Sequence, residues 1–480
     1  MPTSFDTLPG TQERVRMFLG EALAAELDHG VYQQARNTLQ VPGVEHLCLM
    51  PDCQHGYGAP VGSVVVSAER VIPGPVGYDI GCGMALYLTD VPAEAVRDKL
   101  RRRAVIDAID RGICGVEERP RIPGVKVTDE FFEDVLNRGA VALAKRRAIP
   151  TGWVDRCERS CHAVPSVGAP QPFTLEEVPE RALRGVRQLG SLGGGNHFIE
   201  LQAIELAADP ALRSIAEAWG LFEGQLAVML HSGSRGFGHG LGEWAFREFR
   251  AYNDTHREPY ADRELVHAPV GSALAHRYFR FLAAGANYAL ANRLLMARVV
   301  KEAVEAVLPQ ANVGLLYEIS HNLAQWEPDA QGDLKLVHRK GTTRALPAGH
   351  PLIAGTRWEA TGHPVITPGS MGDWSAIQVG LEGAAASFYS INHGAGRRIS
   401  RRDAKHLLDQ GEVDAELAAM DVMLNASHAP IDEAPAVYKR LDDVIAAVQH
   451  FGLAAVVAKA HPLGSIKGSD EPRGSHAKAG

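Results

Sequence analysis

Glycine-rich segments carrying histidine, and in one case aspartate and cysteine, recur along this chain, and they constrain its fold more than its composition does. The first is Gly77-Tyr-Asp79-Ile-Gly-Cys82-Gly-Met84. It is followed by Gly193-Gly-Gly-Asn196-His197, His231-Ser-Gly-Ser-Arg235-Gly, Ser320-His321-Asn322 and Asn392-His393-Gly-Ala-Gly-Arg397. Glycine lets backbone approach a ligand closely, and deprotonated Cys and Asp become metal ligands. A single buried cysteine is usually a small hydrophobe, and a single histidine usually a satisfied core residue. Taken together, Asp79, Cys82, His197, His231 and His321 supply enough ligands for two divalent ions if the thiolate bridges them. Such a site exists only if the fold converges distant segments. The ligand types leave the metal open: Cys and His favour zinc over manganese, so use of Mn²⁺ would rest on geometry and availability.

A length of 480 residues by itself suggests two to four domains. The N-terminal Met-Pro-Thr-Ser-Phe-Asp has no basic or apolar leader character, and no apolar run reaches the roughly 18 residues of a membrane span. A cytoplasmic protein without membrane contact is the expectation. Six irregularly spaced cysteines do not read as a disulfide framework. A net charge of −8 argues against unselective coating of nucleic acid but allows a local basic groove. Two clusters could form one: Arg397, Arg398, Arg401 and Arg402, and Arg339, Lys340 and Arg344.

Periodicity predicts helices over 12–27, 31–38, 92–109, 129–147 and 271–308, with more near Arg401 and Asp432. Strands are expected at 46–50, 62–67, 84–88, 197–201 and 226–231, then between 334 and 379, and finally at 454–459. Pro and Gly accumulate from Pro150 to Pro172, as in a surface excursion, and residues 469–480 read as a polar, disordered tail.

Cys157-x-x-x-Cys161-His162 has no second ligand pair at a helpful spacing, so it is not expected to bind metal. The glycines before Asn196 lack the Gly-Lys-Ser/Thr of a P-loop, and no Lys-x-Asp-Gly occurs to supply a ligase lysine. His393 remains the candidate nucleophile, because neutral imidazole attacks phosphorus and Gly-Ala-Gly leaves room for a nucleotide.

Further motifs make a resemblance specific. Met50-Pro-Asp52, Gly56-Tyr-Gly-x-Pro-Val-Gly62, Gln188-Leu-Gly-Ser-Leu-Gly-Gly-Gly-Asn-His-Phe-Ile-Glu200, Ala286-Asn-Tyr-Ala-Leu-Ala-Asn-Arg293, His338-Arg-Lys-Gly-Thr-Thr-Arg344, Pro368-Gly-Ser-Met371 and Lys467-Gly468 join those above. The set, in this order from about residue 15 to 468, resembles the RtcB family of RNA ligases. The resemblance implies an α+β fold: one large domain over 1–468, with mixed β-sheets around a central metal-containing cleft and helices at the periphery. It implies joining of RNA 3′-phosphate or 2′,3′-cyclic phosphate ends to 5′-hydroxyl ends, in tRNA splicing or RNA repair, with GTP as co-substrate and two Mn²⁺ ions. Cys82 would bridge the ions, with Asp79 and His197 at one and His231 and His321 at the other. His393 would carry GMP; Asn196, Glu200, Ser370, Ala395 and Lys467 would hold the guanylate. Arg235, Arg344, Arg397, Arg398 and Arg401 are candidate RNA or phosphate contacts, and an archease-type activator is a candidate partner. Two positions depart from the family pattern: Gln54 stands where a histidine is usual, with His55 beside it, and Asn392 replaces a cysteine. The departures keep open a specialised repair paralogue. The alternatives to a ligase are a Mn²⁺-dependent cyclic phosphodiesterase and a guanylate-binding regulator that no longer ligates; retention of His393, Cys82 and Lys467 speaks against both.

Overall fold

The computed structural model describes residues 5–113, 122–159, 161–162 and 172–468. The expected tail at 469–480 and part of the 150–172 excursion lie outside the described residues.

Two sheets organise the chain. A six-stranded sheet runs in the order Asp6–Thr7, Val15–Met17, Val44–Gln54, Val61–Ser67, Leu334–Lys340 and Asn322–Pro328. An eight-stranded sheet runs Gly314–Ser320, Gly83–Pro92, Gln225–Ser232, Phe198–Leu206, Ala454–Lys467, Ser375–Gly380 and Pro364–Thr367, with Met423–Leu424 beside Ala454–Lys467. Both are mixed, mainly antiparallel sheets, with a parallel pairing of Val15–Met17 to Val44–Gln54 in the first and of Met423–Leu424 to Ala454–Lys467 in the second. Helices pack around them, as the α+β expectation has it.

Antiparallel pairing decides where chemistry can collect. In the larger sheet Gly83 pairs with both Ser232 and Ser320, Phe198 pairs with His231, and Lys467 pairs with Phe198. Neighbouring strands alternate in direction, so strand starts at Gly83 and Phe198 and strand ends at Ser320, Ser232 and Lys467 fall on one edge. The residues flanking those points therefore share a rim, whatever their separation in sequence.

Beneath the rim lies the helix Ala273–Val307, started by the Ser272 side chain accepting from the Ala275 amide. Its Asn292 and Arg293 are fully buried. The Asn292 amide nitrogen donates to Ser191 O, Gly233 O and Ser232 Oγ, and its oxygen accepts from the Gly190 and Ser191 amides. Arg293 pairs with Glu318 and donates to the carbonyls of Gly81 and Ser232, at 2.7 and 2.8 Å. Two consecutive helix residues thus tie down the segments before Cys82 and after His231.

Several expected elements need correction. The 12–27 helix is the strand Val15–Met17 followed by a short helix Gly20–Ala25; Gly20 at φ +68 breaks the run. The 92–109 helix begins later, at Lys99, where Asp98 caps it by accepting from the Arg101 amide, after a 3-10 turn Ala93–Val96. Near Asp432 there are only the 3-10 turns Ile431–Glu433 and Pro435–Val437, and the helix starts at Leu441. The last strand continues to Lys467 because a register shift between Pro462 and Gly464 absorbs the proline without ending the pairing. The helix Arg235–His256 is not among the helices expected from sequence; it carries glycines at 236, 238, 240 and 242. They are packing positions; a Cβ on Gly240 would lie 2.6 Å from Ala182 Cα.

Candidate active site

The rim of the eight-stranded sheet opens into a cavity of about 360 Å³, a size that suits a nucleotide. Asp79 and Cys82 lie in the loop entering one strand, His197 directly precedes the next, His231 is the penultimate residue of a third, and His321 joins two others. Cys82 Sγ lies 3.3 Å from His231 Nε2 and 3.5 Å from His197 Nε2, and His231 Nε2 is 3.3 Å from His321 Nε2. Asp79 Oδ2 is 3.2 Å from His197 Nε2. Two groups capable of holding an ion result, Asp79 with Cys82 and His197, and Cys82 with His231 and His321, with the sulfur common to both.

The surroundings orient each group. His197 Nδ1 lies 3.0 Å from the Leu192 carbonyl and His231 Nδ1 3.0 Å from that of Asn196, so Nε2 points inward in each. Asp79 Oδ1 accepts from the Ser234 amide at 2.8 Å and its hydroxyl at 3.1 Å. Burial pushes the Cys82 thiol well up and the His231 and His321 imidazoles well down. Neutral imidazoles therefore face a sulfur that ionises only when a cation offsets its charge. That donor set fits a pair of divalent ions sharing a thiolate.

His393 follows the short strand Ser390–Asn392, which pairs with Thr342–Arg344, and its ring centroid lies 4.8 Å from that of His321. A residue overlooked in the sequence holds it. Asp52, fully buried at the end of Met50-Pro-Asp52, accepts from His393 Nδ1 at 2.7 Å, from the His393 amide at 3.0 Å and from the Gly394 amide at 3.3 Å. With Nδ1 engaged, Nε2 is the ring nitrogen left to act. The acidic residue of Met50-Pro-Asp52, within the strand Val44–Gln54, was the available signal, but nothing in sequence paired it with position 393.

The proposed guanylate residues Asn196, Glu200, Ser370, Ala395 and Lys467 all line the same cavity. Glu200 is buried, which raises its carboxyl to about 8 although Gln202 donates to it at 2.7 Å and Lys467 opposes the shift. Burial lowers the Lys467 ammonium, which stands 5.8 Å over the Phe198 ring and 4.0 Å from Glu433.

The RtcB family, described as tRNA-splicing ligase RtcB, matches residues 34–468. This chain belongs to the RtcB family. The tRNA-splicing ligase RtcB of Thermococcus kodakarensis is 36% identical over 452 residues, covering 91% of this chain and 90% of that protein. That of Nanoarchaeum equitans is 34% identical, covering 95% of each. The RNA-splicing ligase RtcB of Mycobacterium tuberculosis is 36% identical, covering 91% of this chain and all of its own length.

Against the RtcB reading of the arginines, one placement fails. Arg344 is buried, paired with Glu158 at 3.0 Å and Glu327 at 3.2 Å, and does not line the cavity; its neighbour in sequence Arg339 is likewise buried on Glu327. Arg344 is therefore part of a structural ion network and not an RNA contact. Arg397 and Arg401 do line the cavity and share Glu433, each at 3.2 Å. Arg398 is exposed outside the lining, with its amide donating to Val437 O. Arg235 packs against Gly193 and Ser191 Oγ; Gly193 and Gly195, both at positive φ, leave the room that Arg235 and Arg401 occupy. Gln54 lines the cavity and its side-chain oxygen accepts from the Arg397 amide at 2.8 Å, whereas His55 is exposed beside it. The Asn392 side chain donates to the Gly394 carbonyl at 2.8 Å, bracing the segment that carries His393. Cys157 and Cys161 donate to the carbonyls of Trp153 and Asn137 and enter no metal group among the described residues.

Proposed function

We propose that the protein is a GTP-dependent RNA ligase that joins 3′-phosphate or 2′,3′-cyclic phosphate ends to 5′-hydroxyl ends, acting in tRNA splicing or RNA repair. The observation that carries this reading is the convergence in one cavity of an oriented imidazole, His393, with two thiolate-sharing ligand groups and a buried Glu200–Lys467 pocket. A phosphodiesterase limited to opening cyclic phosphates has no use for such a nucleophile or pocket.

Asp79, Cys82 and His197 would hold one Mn²⁺, and Cys82, His231 and His321 the other. Bound there, the ions would offset negative charge on phosphate oxygens. His393 Nε2 attacks the α-phosphorus of GTP and pyrophosphate leaves, while Asp52 holds the Nδ1 proton and steadies the ring as it gains positive character. A 2′,3′-cyclic end is first opened by water, which breaks the P–O2′ bond and leaves a 3′-phosphate. The RNA 3′-phosphate oxygen then attacks the α-phosphorus held on His393, the P–N bond breaks, and the imidazole returns to its starting form. The 5′-hydroxyl oxygen finally attacks the RNA phosphorus and GMP departs. Lys467 would donate to guanine O6, and ionised Glu200 would accept from guanine N1–H and the 2-amino group; Asn196, Ser370 and Ala395 complete the pocket. Arg397 and Arg401 are placed to meet phosphates, with Arg235 and Arg398 as outer candidates. Residues 1–468 act as one ligase unit, and a cytoplasmic setting and an archease-type activator accompany this reading; among the described residues no helix is long and apolar enough to cross a membrane.

Incubation of the protein with an RNA 3′-phosphate strand and a 5′-hydroxyl strand, with and without GTP and Mn²⁺, tests the proposal. Joined product that requires both additions supports it, and cyclic-phosphate opening without any joining refutes it.

A further inference from the structure

Tyr57 is 71% exposed, the second most exposed large hydrophobic side chain among the described residues, and it lines the catalytic cavity. An exposed tyrosine on a turn is ordinary by itself. The support beneath this one is not. The turn joins the strands Val44–Gln54 and Val61–Ser67 and is clamped by the buried Lys340, which donates to the carbonyls of Tyr57 and Ala59. At Gly58, with φ +68, a Cβ would lie 2.8 Å from Glu264 Cβ, so backbone packs closely there. Glu264 in turn accepts from the Tyr78 hydroxyl at 3.3 Å. The Tyr57 ring stands edge-on to Tyr78 at 6.3 Å, and Tyr78 is stacked on His239 at 5.0 Å and packed on Phe246 at 4.8 Å. A row of aromatic rings thus leads from buried structure to a solvent-facing ring on a clamped turn.

The position matters for chemistry. Tyr78 immediately precedes Asp79, one of the candidate metal ligands. The guanylate candidates Glu200 and Lys467 belong to strands of the eight-stranded sheet, whereas Tyr57 is presented by the six-stranded sheet. The cavity therefore has an aromatic face that the guanylate does not need. Unpaired bases at RNA ends stack on aromatic side chains whatever their identity, since every base offers a π-face. A tyrosine ring, with only two side-chain torsions, costs little side-chain entropy on binding.

We propose that Tyr57 is the stacking platform for the terminal base of the RNA strand that ends in the phosphate, holding that end while its phosphate reaches His393. This rests on the RNA-ligase reading of the cavity. The site is indifferent to base identity, uses the ring and not the hydroxyl, and is separate from guanine recognition.

The test is equilibrium binding, by fluorescence anisotropy, of a 3′-phosphate RNA labelled at its other end, to the full chain and to its Tyr57→Ala and Tyr57→Trp variants. Each protein is also titrated with the same RNA made abasic at the terminal nucleotide, and with a 5′-hydroxyl strand. Thermal melting shows that each variant is folded. The expected result is that Tyr57→Ala weakens binding of the 3′-phosphate RNA by about five- to hundredfold, the range of one lost base–aromatic stack. Tyr57→Trp retains binding, and the abasic RNA binds wild type and Tyr57→Ala alike. Equal binding of the intact RNA by wild type and Tyr57→Ala overturns the proposal. So does an equal loss for intact and abasic RNA, or a loss seen only with the 5′-hydroxyl strand. A protein that shows the expected pattern yet never takes up GMP contradicts the ligase reading and leaves the stacking site standing.

Discussion

Arg339 and Arg344 meet two buried carboxylates, Glu327 and Glu158, away from the cavity lining, while Arg397 and Arg401 share the single carboxylate of Glu433 within it, with Lys467 a further 4.0 Å from the same group. The residue types are the same in the two regions. The stoichiometry is not. There two buried carboxylates offset most of the charge of Arg339, Arg344 and the nearby Arg159, and the network holds chain segments together; burial raises the Glu327 carboxyl, but Arg339 and Arg344 outweigh it and bring it to about 2. Where two arginines share one carboxylate and Lys467 draws on that same group and on a Glu200 whose carboxyl is raised to about 8, positive charge is left over facing the cavity, which suits a triphosphate or an RNA backbone. Whether a basic cluster serves phosphate or structure depends on the carboxylates the fold delivers to it.

The comparison is sharpened most by removing what the cavity region is built around. Cys82→Ala is expected to lose both metal ions and every chemical step, while Cys157→Ala keeps two ions per chain; metal analysis of the purified proteins decides. Two ions retained in Cys82→Ala would refute the shared thiolate.

The structural network should show the opposite signature. Glu327→Gln leaves buried guanidinium charge uncompensated, and breaking such a pair costs about 3–5 kcal/mol of stability. Because the folded-state pKa lies below the unfolded value, this stabilisation is present above roughly pH 4.5 and fades as pH falls towards about 2. Denaturant unfolding should therefore show a gap between wild type and Glu327→Gln that is full at pH 6 and narrows by pH 3. GMP uptake per folded molecule should not change. A variant as stable as wild type but poor in RNA binding would turn the comparison around.

A smaller effect is expected at Lys467→Ala. Loss of a charged donor to the guanine carbonyl is worth about 1.5–3 kcal/mol, or roughly ten- to hundredfold in GTP affinity, with a narrowed preference over ATP. Unaltered nucleotide preference would leave Lys467 as a mere strand end.

An effect of comparable size is expected in the pH response of the pocket. With its carboxyl raised to about 8, Glu200 is mostly protonated at pH 6 and must ionise to accept from guanine. Guanosine, which carries no phosphate to titrate, should bind more tightly as pH rises from 6 to 8.5, by up to about tenfold per unit below pH 8, and Glu200→Gln should flatten the profile. A flat wild-type profile would show that Glu200 does not receive the base.

Much of the site was legible in sequence because glycine marks it. The five candidate ligands and His393 all stand in glycine-rich or strand-end segments, and antiparallel pairing at Gly83, Ser232, Ser320 and Phe198 brings them to one rim. What could not be read was pairing between distant polar residues. Asp52 and His393 are far apart in sequence, as are Arg344 and Glu158, and no local pattern says which arginine finds a carboxylate of its own. The same holds for glycine as a packing residue: alternate glycines from 236 to 242 give no helical signal, and their place in the helix Arg235–His256 is explained only once Ala182 is seen against it. The strand carrying Lys467 looked shorter than it is because a proline normally ends pairing, and a bulge at Pro462 avoids that.

The central claim is that His393, oriented by Asp52 beside the shared-thiolate site, carries the guanylate. Its most direct test is peptide mass mapping after incubation with GTP and Mn²⁺, under the alkaline conditions in which a phosphoramidate survives. A GMP adduct is expected on the peptide containing His393, removed by mild acid and absent from His393→Ala. An adduct on any other residue, or one that persists in His393→Ala, would contradict it.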